Sequence, residues 1–173
     1  MYSGKIIEPP IRGLFCGEVL MKKLYGNIVT GAFVMRMNRF VIHAEIDGRI
    51  EICHMPNPGR MRELLFPGVK MYLVKSRNPL SRTAYRVIGV ERDGEVILLD
   101  TSKCNDVAHY LVSHHLIAGW EEYSVVQREV TMGDSRFDLL LGNETTGEVF
   151  PVEVKSCTLF GEKGACLLYT SPS

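Results

Sequence analysis

Residues 135–156 constrain the fold most, because this segment has the pattern of a long β-hairpin. Two apolar runs flank residues 142–147, which are rich in Gly, Asn and Thr. That arrangement is typical of two strands joined by a longer turn. A fold-back that is symmetric about the pair 145–146 places Leu141 opposite Phe150. The same register places Asp138 opposite Glu153.

This register brings three ionisable side chains together. Directly opposed residues of an antiparallel pair have Cβ atoms about 4.5–5.5 Å apart, and the period of two puts Lys155 on the face of Glu153. Opposed carboxylates need a cation or a proton, and they suit Mg²⁺ or Mn²⁺, while a nearby lysine can orient a water or offset phosphate charge. The alternative is an ordinary solvated turn. Pro151 cannot donate to a ladder, so it indicates an edge strand or a bulge that shifts the register by one.

Composition narrows the class of protein. A chain of 173 residues with 46% hydrophobic content can build one large core or two small ones. No apolar run approaches the roughly 20 residues of a membrane span, and the N-terminus lacks the pattern of a signal peptide. We therefore expect a cytoplasmic protein without a membrane partner. The five cysteines are scattered and form no C-x-x-C pair, which favours reduced thiols over disulfides or a zinc site.

The zero net charge hides a split between the two halves of the chain. Residues 1–90 hold 14 Lys and Arg against 6 Asp and Glu, whereas residues 91–173 hold 6 against 14. A basic half can attract phosphates without regard to sequence, and an acidic half with paired carboxylates can hold a divalent metal. The alternative is that the two halves simply attract each other.

The basic half has the pattern of a small antiparallel barrel. Asp47-Gly48 and Asp93-Gly94 are tight-turn signals between apolar segments. Short strand-like segments occur at 28–30, 32–35, 40–46, 49–54, 69–74, 84–90 and 95–99. So many short strands favour an OB-like barrel over residues 21–99, with a brief helix at 60–65. Residues 1–20, broken by prolines and a glycine, are expected to be an extension of uncertain status.

Polar residues of this barrel are candidates for contact with nucleic acid, because OB barrels present loops and one sheet face to oligonucleotides. Solvated surface charge is the alternative for any one of them. The candidates are Arg36, Arg39, Asn57, Arg60, Arg62, Arg77 and Arg82, with Lys75 and Arg86 as further basic positions.

A helix is predicted after the barrel, from about 105 to 117. Asp100, Thr101 or Ser102 can cap it, and its apolar stripe contains Val107, Ala108, Leu111, Val112 and Leu116. It marks the change of domain at residue 100. Histidines 109, 114 and 115 lie on it, and we expect them to be structural or solvent-facing, since adjacent residues point about 100° apart on a helix. A strand over 123–130 then leads into the hairpin.

Several blocks in register resemble the sugar fermentation stimulation protein A family. They are MNRFV at 37–41, MPNPGRMREL at 55–64, VERDG at 90–94, LDT at 99–101 with Asn105, REV at 128–130, SRFD at 135–138 and VEVKSCTL at 152–159. The resemblance covers about 21–165. It implies a DNA-binding protein with an OB-like N-terminal domain and a C-terminal domain similar to PD-(D/E)XK nucleases. Asp138, Glu153 and Lys155 match the metal-binding acids and the lysine of that signature.

The sequence departs from the family pattern in two ways. Nucleases of this superfamily often add a glutamate from the first helix, where this chain offers Asn105, Asp106, His109 and Tyr110. After Ala165 the family continues through a further helix and strand, whereas this chain ends within a few residues. We therefore expect residues 100–165 to be a truncated nuclease-like domain and 166–173 to be a non-native tail.

Together these observations predict a mixed α+β protein, a small OB-like barrel followed by an incomplete restriction-endonuclease-like domain. The leading functional hypothesis is a DNA-binding regulator of sugar (maltose-type) metabolism, with mostly backbone contacts and a nuclease-like divalent-metal site. One alternative is an active Mg²⁺-dependent DNA endonuclease or phosphodiesterase. A second is an OB-fold RNA-binding or adaptor protein.

Overall fold

A computed structural model describes residues 17–155 and the backbone of two short strands, 160–161 and 164–165. Side chains are described from Leu20 to Lys155. The chain divides into two compact units between Ser102 and Lys103, close to the change of domain predicted at residue 100. Within the described part, no helix is both long and apolar enough to cross a membrane.

The N-terminal unit is a closed β-barrel. Strand β3 pairs in parallel with β5, and the ring of pairings runs β1-β2-β3-β5-β4 and back to β1. Its elements are α1 (Gly17–Tyr25), β1 (Val29–Asn38), β2 (Val41–Ile46), β3 (Arg49–His54), β4 (Lys70–Lys75), β5 (Tyr85–Arg92) and β6 (Glu95–Leu98). Strand β6 continues the sheet beyond β5. The predicted OB-like barrel is confirmed.

Both Asp-Gly turns lie where the sequence predicts them. Asp47 and Gly48 have φ values of 50° and 74°, and Asp93 and Gly94 have 52° and 80°. Two consecutive residues with positive φ form the type I′ turn, whose twist matches that of a hairpin. These turns fix the registers of β2 with β3 and of β5 with β6.

The barrel interior is apolar and tightly packed. The side chains with no exposed surface include Ile42, Ala44, Met71, Leu73, Val87 and Val90. Gly31 on β1 marks a close approach of two strands, because a Cβ there would lie 2.7 Å from the carbonyl oxygen of Glu45. Only glycine fits at that point without a backbone shift.

Two expectations for this unit are wrong. The expected boundary after residue 20 falls inside α1, where Leu20 and Met21 are buried and Met21 packs against Tyr72 and Ile88. The brief helix expected at 60–65 is only a turn at 62–64. Met61 has a φ of 47°, and this left-handed conformation prevents a regular helix through the segment.

The C-terminal unit packs a helix against a three-stranded antiparallel sheet. A 3₁₀ turn (Thr101–Lys103) leads into α2 (Cys104–Ser113), which is followed by β7 (Tyr123–Met132), β8 (Ser135–Asn143), β9 (Val149–Val152), β10 (Phe160–Gly161) and β11 (Gly164–Ala165). Strands β7, β8 and β9 are neighbours in that order. The core is built from Val112 on α2, Trp120, Leu139 and Leu141 on β8, and Val152 on β9.

Helix α2 is shorter than predicted at its C-terminus. It ends at Ser113, and His115 takes a φ of 54°, which leaves Leu116 44% exposed rather than in the buried stripe. The predicted side-chain cap is also wrong. Lys103 precedes the helix without a capping hydrogen bond, while Asp100 accepts the backbone N–H of Ser102 in the 3₁₀ turn.

The predicted hairpin register is confirmed. Leu141 pairs with Phe150 and Leu139 with Val152. Pro151 lies opposite Leu140 without a shift, and among the described residues its strand pairs with β8 alone. Such an edge tolerates the missing N–H of proline. Residues 1–16 of the expected extension at 1–20 and the expected tail at 166–173 lie outside the described residues.

Candidate metal centre and nucleic-acid surface

The carboxylate of Asp138 on β8 is held by two hydrogen bonds. Asn105 Nδ2 on α2 donates to Oδ1 at 2.7 Å, and the backbone N–H of Val154 donates to Oδ2 at 2.7 Å. The carboxylate therefore has a fixed orientation with one donor on each oxygen. Because each oxygen keeps a second lone pair, it can still bind a cation.

Glu153 and Lys155 lie just beyond the last paired residue of the hairpin. Strand β9 ends at Val152, and the last paired residues of the hairpin are Leu139 and Val152. The predicted pair of Asp138 and Glu153 would be the next pair along, but it lies beyond the hydrogen-bonded ladder. The Lys155 ammonium forms an ion pair with the Glu153 carboxylate, and both side chains are partly exposed. The structure thus places the three predicted residues at the same end of the hairpin but pairs the lysine with the glutamate.

The donor set suits a hard divalent cation in kind, since carboxylate and amide oxygens are the ligands that Mg²⁺, Mn²⁺ and Ca²⁺ prefer. Within residues 20–155, however, no three His, Cys, Asp or Glu side chains are arranged to hold a metal ion. Asp138 and Glu153 are therefore an incomplete ligand set as the side chains stand.

The neighbouring acid on α2 is already neutralised. Asp106 accepts hydrogen bonds from Lys103 Nζ and Arg128 Nη2, each at 2.7 Å. These two contacts lower the pKa of the Asp106 carboxyl. The helix thus contributes Asn105, rather than an acid, to the carboxylate of Asp138.

Sequence reasoning missed one acid beside this site. Arg128 pairs with Leu139 and Val130 with Phe137, so the register position opposite Asp138 on β7 is Glu129. Positions 129 and 138 are therefore neighbours across β7 and β8. Glu129 has a φ of 53°, and its carboxylate accepts a hydrogen bond from Arg136 at 2.8 Å. The available signal was the REV block at 128–130, whose glutamate faces the SRFD aspartate once β7 is paired with β8.

The predicted basic residues of the barrel lie on three connections. Arg39 is in the β1–β2 turn, Arg60 and Arg62 are in the β3–β4 loop, and Arg77 and Arg82 are in the β4–β5 loop, all of them exposed. Arg36, Arg39, Arg60 and Arg62 line one groove of about 590 Å³ together with Phe33 and Pro58. Arg77 and Arg82 do not line it. The structure therefore groups some of the predicted residues and separates the others.

Two predicted nucleic-acid contacts are hydrogen-bonded to the main chain. Arg36 donates all five of its N–H groups to backbone carbonyls, which leaves none for a phosphate. Asn57 is only 8% exposed, and its Oδ1 accepts the backbone N–H of Gly59 at 2.8 Å. Both residues shape the β3–β4 loop. The prediction missed this because the partners are main-chain atoms, which sequence does not distinguish.

The matches to known proteins agree with this two-part architecture. Residues 34–99 match the family described as the SfsA N-terminal OB domain, and residues 102–169 match the sugar fermentation stimulation protein RE domain. The fold and the matches thus define a protein with an OB domain followed by an RE domain. The chain belongs to the sugar fermentation stimulation protein family, as its sequence blocks imply.

Relatives from several organisms are similar to most of this chain. A sugar fermentation stimulation protein homolog of Alkaliphilus oremlandii is 39% identical over 86% of this chain and 64% of its own length. The homolog of Clostridium beijerinckii is 35% identical over 78% of this chain and 58% of its own. A solved structure of Pyrococcus furiosus SfsA in complex with Ca²⁺ is similar with a TM-score of 0.56 and 27% identity, covering 74% of this chain and 54% of that one. The chain thus spans about three fifths of the length of these curated relatives.

Proposed function

We propose that this chain is a DNA-binding regulator of sugar metabolism in which the barrel contacts phosphates and the Asp138 site binds a divalent cation. The observation that carries the DNA-binding part is the convergence of Arg39, Arg60 and Arg62 on one exposed groove. Across residues 20–155, none of these three guanidinium groups is paired with a carboxylate. Guanidinium groups match phosphate oxygens in geometry, so such a groove is suited to a DNA backbone. The role in sugar metabolism is proposed from the name of the family.

The salt dependence of binding tests the phosphate contacts. Three contacts give a slope of about −2.7 in log K against log salt, which is an approximately 40-fold loss between 50 and 200 mM NaCl. The measurement is fluorescence anisotropy of a labelled 20-base-pair duplex. An affinity that does not change with salt would sink the proposal, because counterion release requires the slope.

The cation part of the proposal is supported by the oriented carboxylate of Asp138 and by the nearby Glu153. In the similar Pyrococcus furiosus structure the protein is in complex with Ca²⁺. Asp138 and Glu153 would be the ligands here, and Lys155 would be released from its ion pair when Glu153 binds the cation. Calorimetric titration of Ca²⁺ and Mn²⁺ into the wild type, Asp138→Asn and Glu153→Gln tests this assignment. We expect both variants to lose binding, and equal affinity in all three would refute it.

A second candidate function is metal-dependent phosphodiester hydrolysis. It is favoured by the D…E-x-K pattern at residues 138, 153 and 155, which lie at the same end of the hairpin. A bound Mg²⁺ or Mn²⁺ would polarise the phosphate and lower the pKa of a water. The Lys155 ammonium would then face the charge that develops on the phosphate.

Cleavage assays separate the regulator from the nuclease. Plasmid DNA is incubated with Mg²⁺ or Mn²⁺ and with the wild type, Asp138→Asn or Glu153→Gln. Cutting by the wild type alone establishes the nuclease. Equal cutting in all samples, or none in any, removes it and leaves the DNA-binding proposal to the salt titration.

A further inference from the structure

The side chain of Arg36 connects two segments of the barrel that carry exposed arginines. Its Nε donates to the carbonyl of Asn38 at 3.1 Å, and its Nη2 donates to the carbonyls of Arg39 at 2.7 Å and Asn57 at 3.1 Å. Its Nη1 donates to the carbonyls of Gly59 at 2.5 Å and Arg60 at 3.1 Å. One guanidinium therefore holds the β1–β2 turn and the β3–β4 loop together.

Two of the five acceptors belong to residues whose own side chains line the groove. The carbonyls of Arg39 and Arg60 both bind Arg36, while their guanidinium groups remain exposed. Fixing a carbonyl fixes the adjacent backbone dihedrals, so Arg36 sets the direction in which these two side chains leave the backbone.

The rest of the β3–β4 loop is ordered by contacts that converge on the same place. The Oδ1 of Asn57 accepts the N–H of Gly59 at 2.8 Å. Met61, between Arg60 and Arg62, has a left-handed φ of 47° and a buried side chain. A non-glycine residue keeps this conformation only where the surrounding structure holds it. The loop therefore presents Arg60 and Arg62 from a constrained backbone.

We propose that Arg36 is a positioning residue that preorganises Arg39, Arg60 and Arg62 as a binding site for consecutive phosphates of a DNA strand. This inference rests on the proposed function, because DNA is the ligand. It narrows the DNA-binding surface to one groove. It also makes the shape of that groove depend on Arg36, which does not itself contact DNA. Preorganisation matters because a phosphate site made of free arginine side chains would have to order them on binding.

Charge alone cannot replace Arg36 in this role. A lysine keeps the positive charge, but its ammonium has three donors at one point and cannot reach five carbonyls spread over two segments. The substitution Arg36→Lys therefore removes the clamp while it keeps the net charge. The matched control is Arg49→Lys, which changes an exposed arginine at the start of β3 outside the groove.

The test is a thermodynamic cycle on DNA affinity, measured by anisotropy with the 20-base-pair duplex. Its variants are Arg36→Lys, the triple variant R39A/R60A/R62A, the combination of both, and Arg49→Lys. Each phosphate contact contributes about eightfold to affinity at 0.1 M salt relative to 1 M, so three contribute about 500-fold. We expect Arg36→Lys to weaken binding about eightfold or more, and the triple variant to flatten the salt slope by about 2.7. Arg49→Lys should bind as the wild type does.

The combined variant distinguishes positioning from a general structural role. If Arg36 acts through the three arginines, adding Arg36→Lys to the triple variant changes affinity no further. Losses that multiply would overturn the inference, as would wild-type affinity in Arg36→Lys. Should Arg36→Lys fail to fold by circular dichroism, the triple variant decides: a slope that falls by about 2.7 supports the site and an unchanged slope overturns it. If the slope of the triple variant is unchanged, the salt dependence of the wild type still supports DNA binding elsewhere on the protein. A wild type that does not bind DNA would instead refute the proposed function itself.

Discussion

The buried carboxylate of Asp100 offers a sharp test of what stabilises the barrel. Asp100 is 2% exposed, and its carboxylate accepts hydrogen bonds from Arg86 Nε at 3.0 Å, Arg86 Nη2 at 2.6 Å, Ser102 Oγ at 2.7 Å and Ser102 N at 3.2 Å. Replacing Arg86 by methionine keeps an apolar stem but leaves the buried charge without its cation. Breaking a buried ion pair in this way costs about 3–5 kcal/mol.

The lower end of that range applies here. The Arg86 side chain is 37% exposed, so water already screens part of the pair, and Ser102 continues to donate in the variant. We therefore expect Arg86→Met to lower the free energy of unfolding by about 3 kcal/mol. For a chain of this length that corresponds to a fall in melting temperature of roughly 6–12 °C. The control Arg49→Met, at an exposed position, should stay within about 0.5 kcal/mol of the wild type.

The pH dependence of stability provides a second test of the role of Asp100. Burial alone raises the pKa of Asp100, but the hydrogen bonds from Arg86 and Ser102 outweigh it, and the pKa lies below its ordinary value. The stability that this carboxylate contributes is thus present above the unfolded pKa of about 3.9 and is lost as pH falls through the lower folded pKa. Without Arg86 the buried carboxyl takes up its proton at higher pH, so the deficit of Arg86→Met should shrink between pH 7 and pH 4. Thermal melts at both pH values measure it, and an equal deficit at the two would refute the reasoning.

Three further outcomes are expected. Gly31→Ala should destabilise the protein by about 1–3 kcal/mol in urea denaturation, because its Cβ would meet the backbone carbonyl of Glu45 at 2.7 Å. Cys53 should resist iodoacetamide at pH 8 until the protein unfolds, because burial, with the charge of Glu51, raises its pKa to about 12. Asn105→Ala should weaken Ca²⁺ binding about 10–100-fold, because it removes the donor that orients Asp138.

Each of these outcomes has a matched comparison. The added Cβ of Gly142→Ala would clash with the side chain of Val126 at 2.7 Å, while the nearest backbone atom, the Glu148 carbonyl oxygen, lies at an ordinary 3.9 Å. Because Val126 is 58% exposed and can rotate, a cost as large as that of Gly31→Ala would contradict the backbone argument. Peptide mapping of native and urea-treated protein reports Cys53, and equal labelling in both would contradict its protection. Calorimetry compares the Ca²⁺ affinity of Asn105→Ala with that of the wild type. Equal affinities would contradict the orienting role of Asn105.

Local signals in the sequence predict much of this fold. The Asp-Gly turns and the hairpin register depend on residues close together in the chain, and Asp138, Glu153 and Lys155 lie at the predicted end of that hairpin. What sequence alone does not reveal is pairing between distant strands. The parallel contact of β3 with β5 joins Cys53 to Tyr85, and neither segment carries a pattern that specifies the other.

Residue type identifies the candidate site residues, but it does not reveal which main-chain atoms they bind. Arginine and asparagine are typical of nucleic-acid contacts, yet Arg36 on β1 binds carbonyls of the β1–β2 turn and the β3–β4 loop, and Asn57 accepts a backbone N–H within the β3–β4 loop. Glu129 faces Asp138 only through the pairing of β7 with β8. In both cases the role is set by main-chain geometry, which composition and spacing do not encode.

The parallel pairing of β3 with β5 also dictates an order of events in folding. The meander β1-β2-β3 can form from local contacts as soon as it is synthesised, but its ring closes only when Tyr85 and Arg86 reach Cys53 and His54. Until then β3 has an unpaired edge, and the strand carries the apolar side chains of Ile50 and Ile52, which are 56% and 48% exposed even in the finished barrel. Closure over a long loop is slow, and an unpaired apolar edge invites other chains. The yield of soluble protein should therefore depend on how quickly β5 follows β3, and a lower synthesis temperature should favour it.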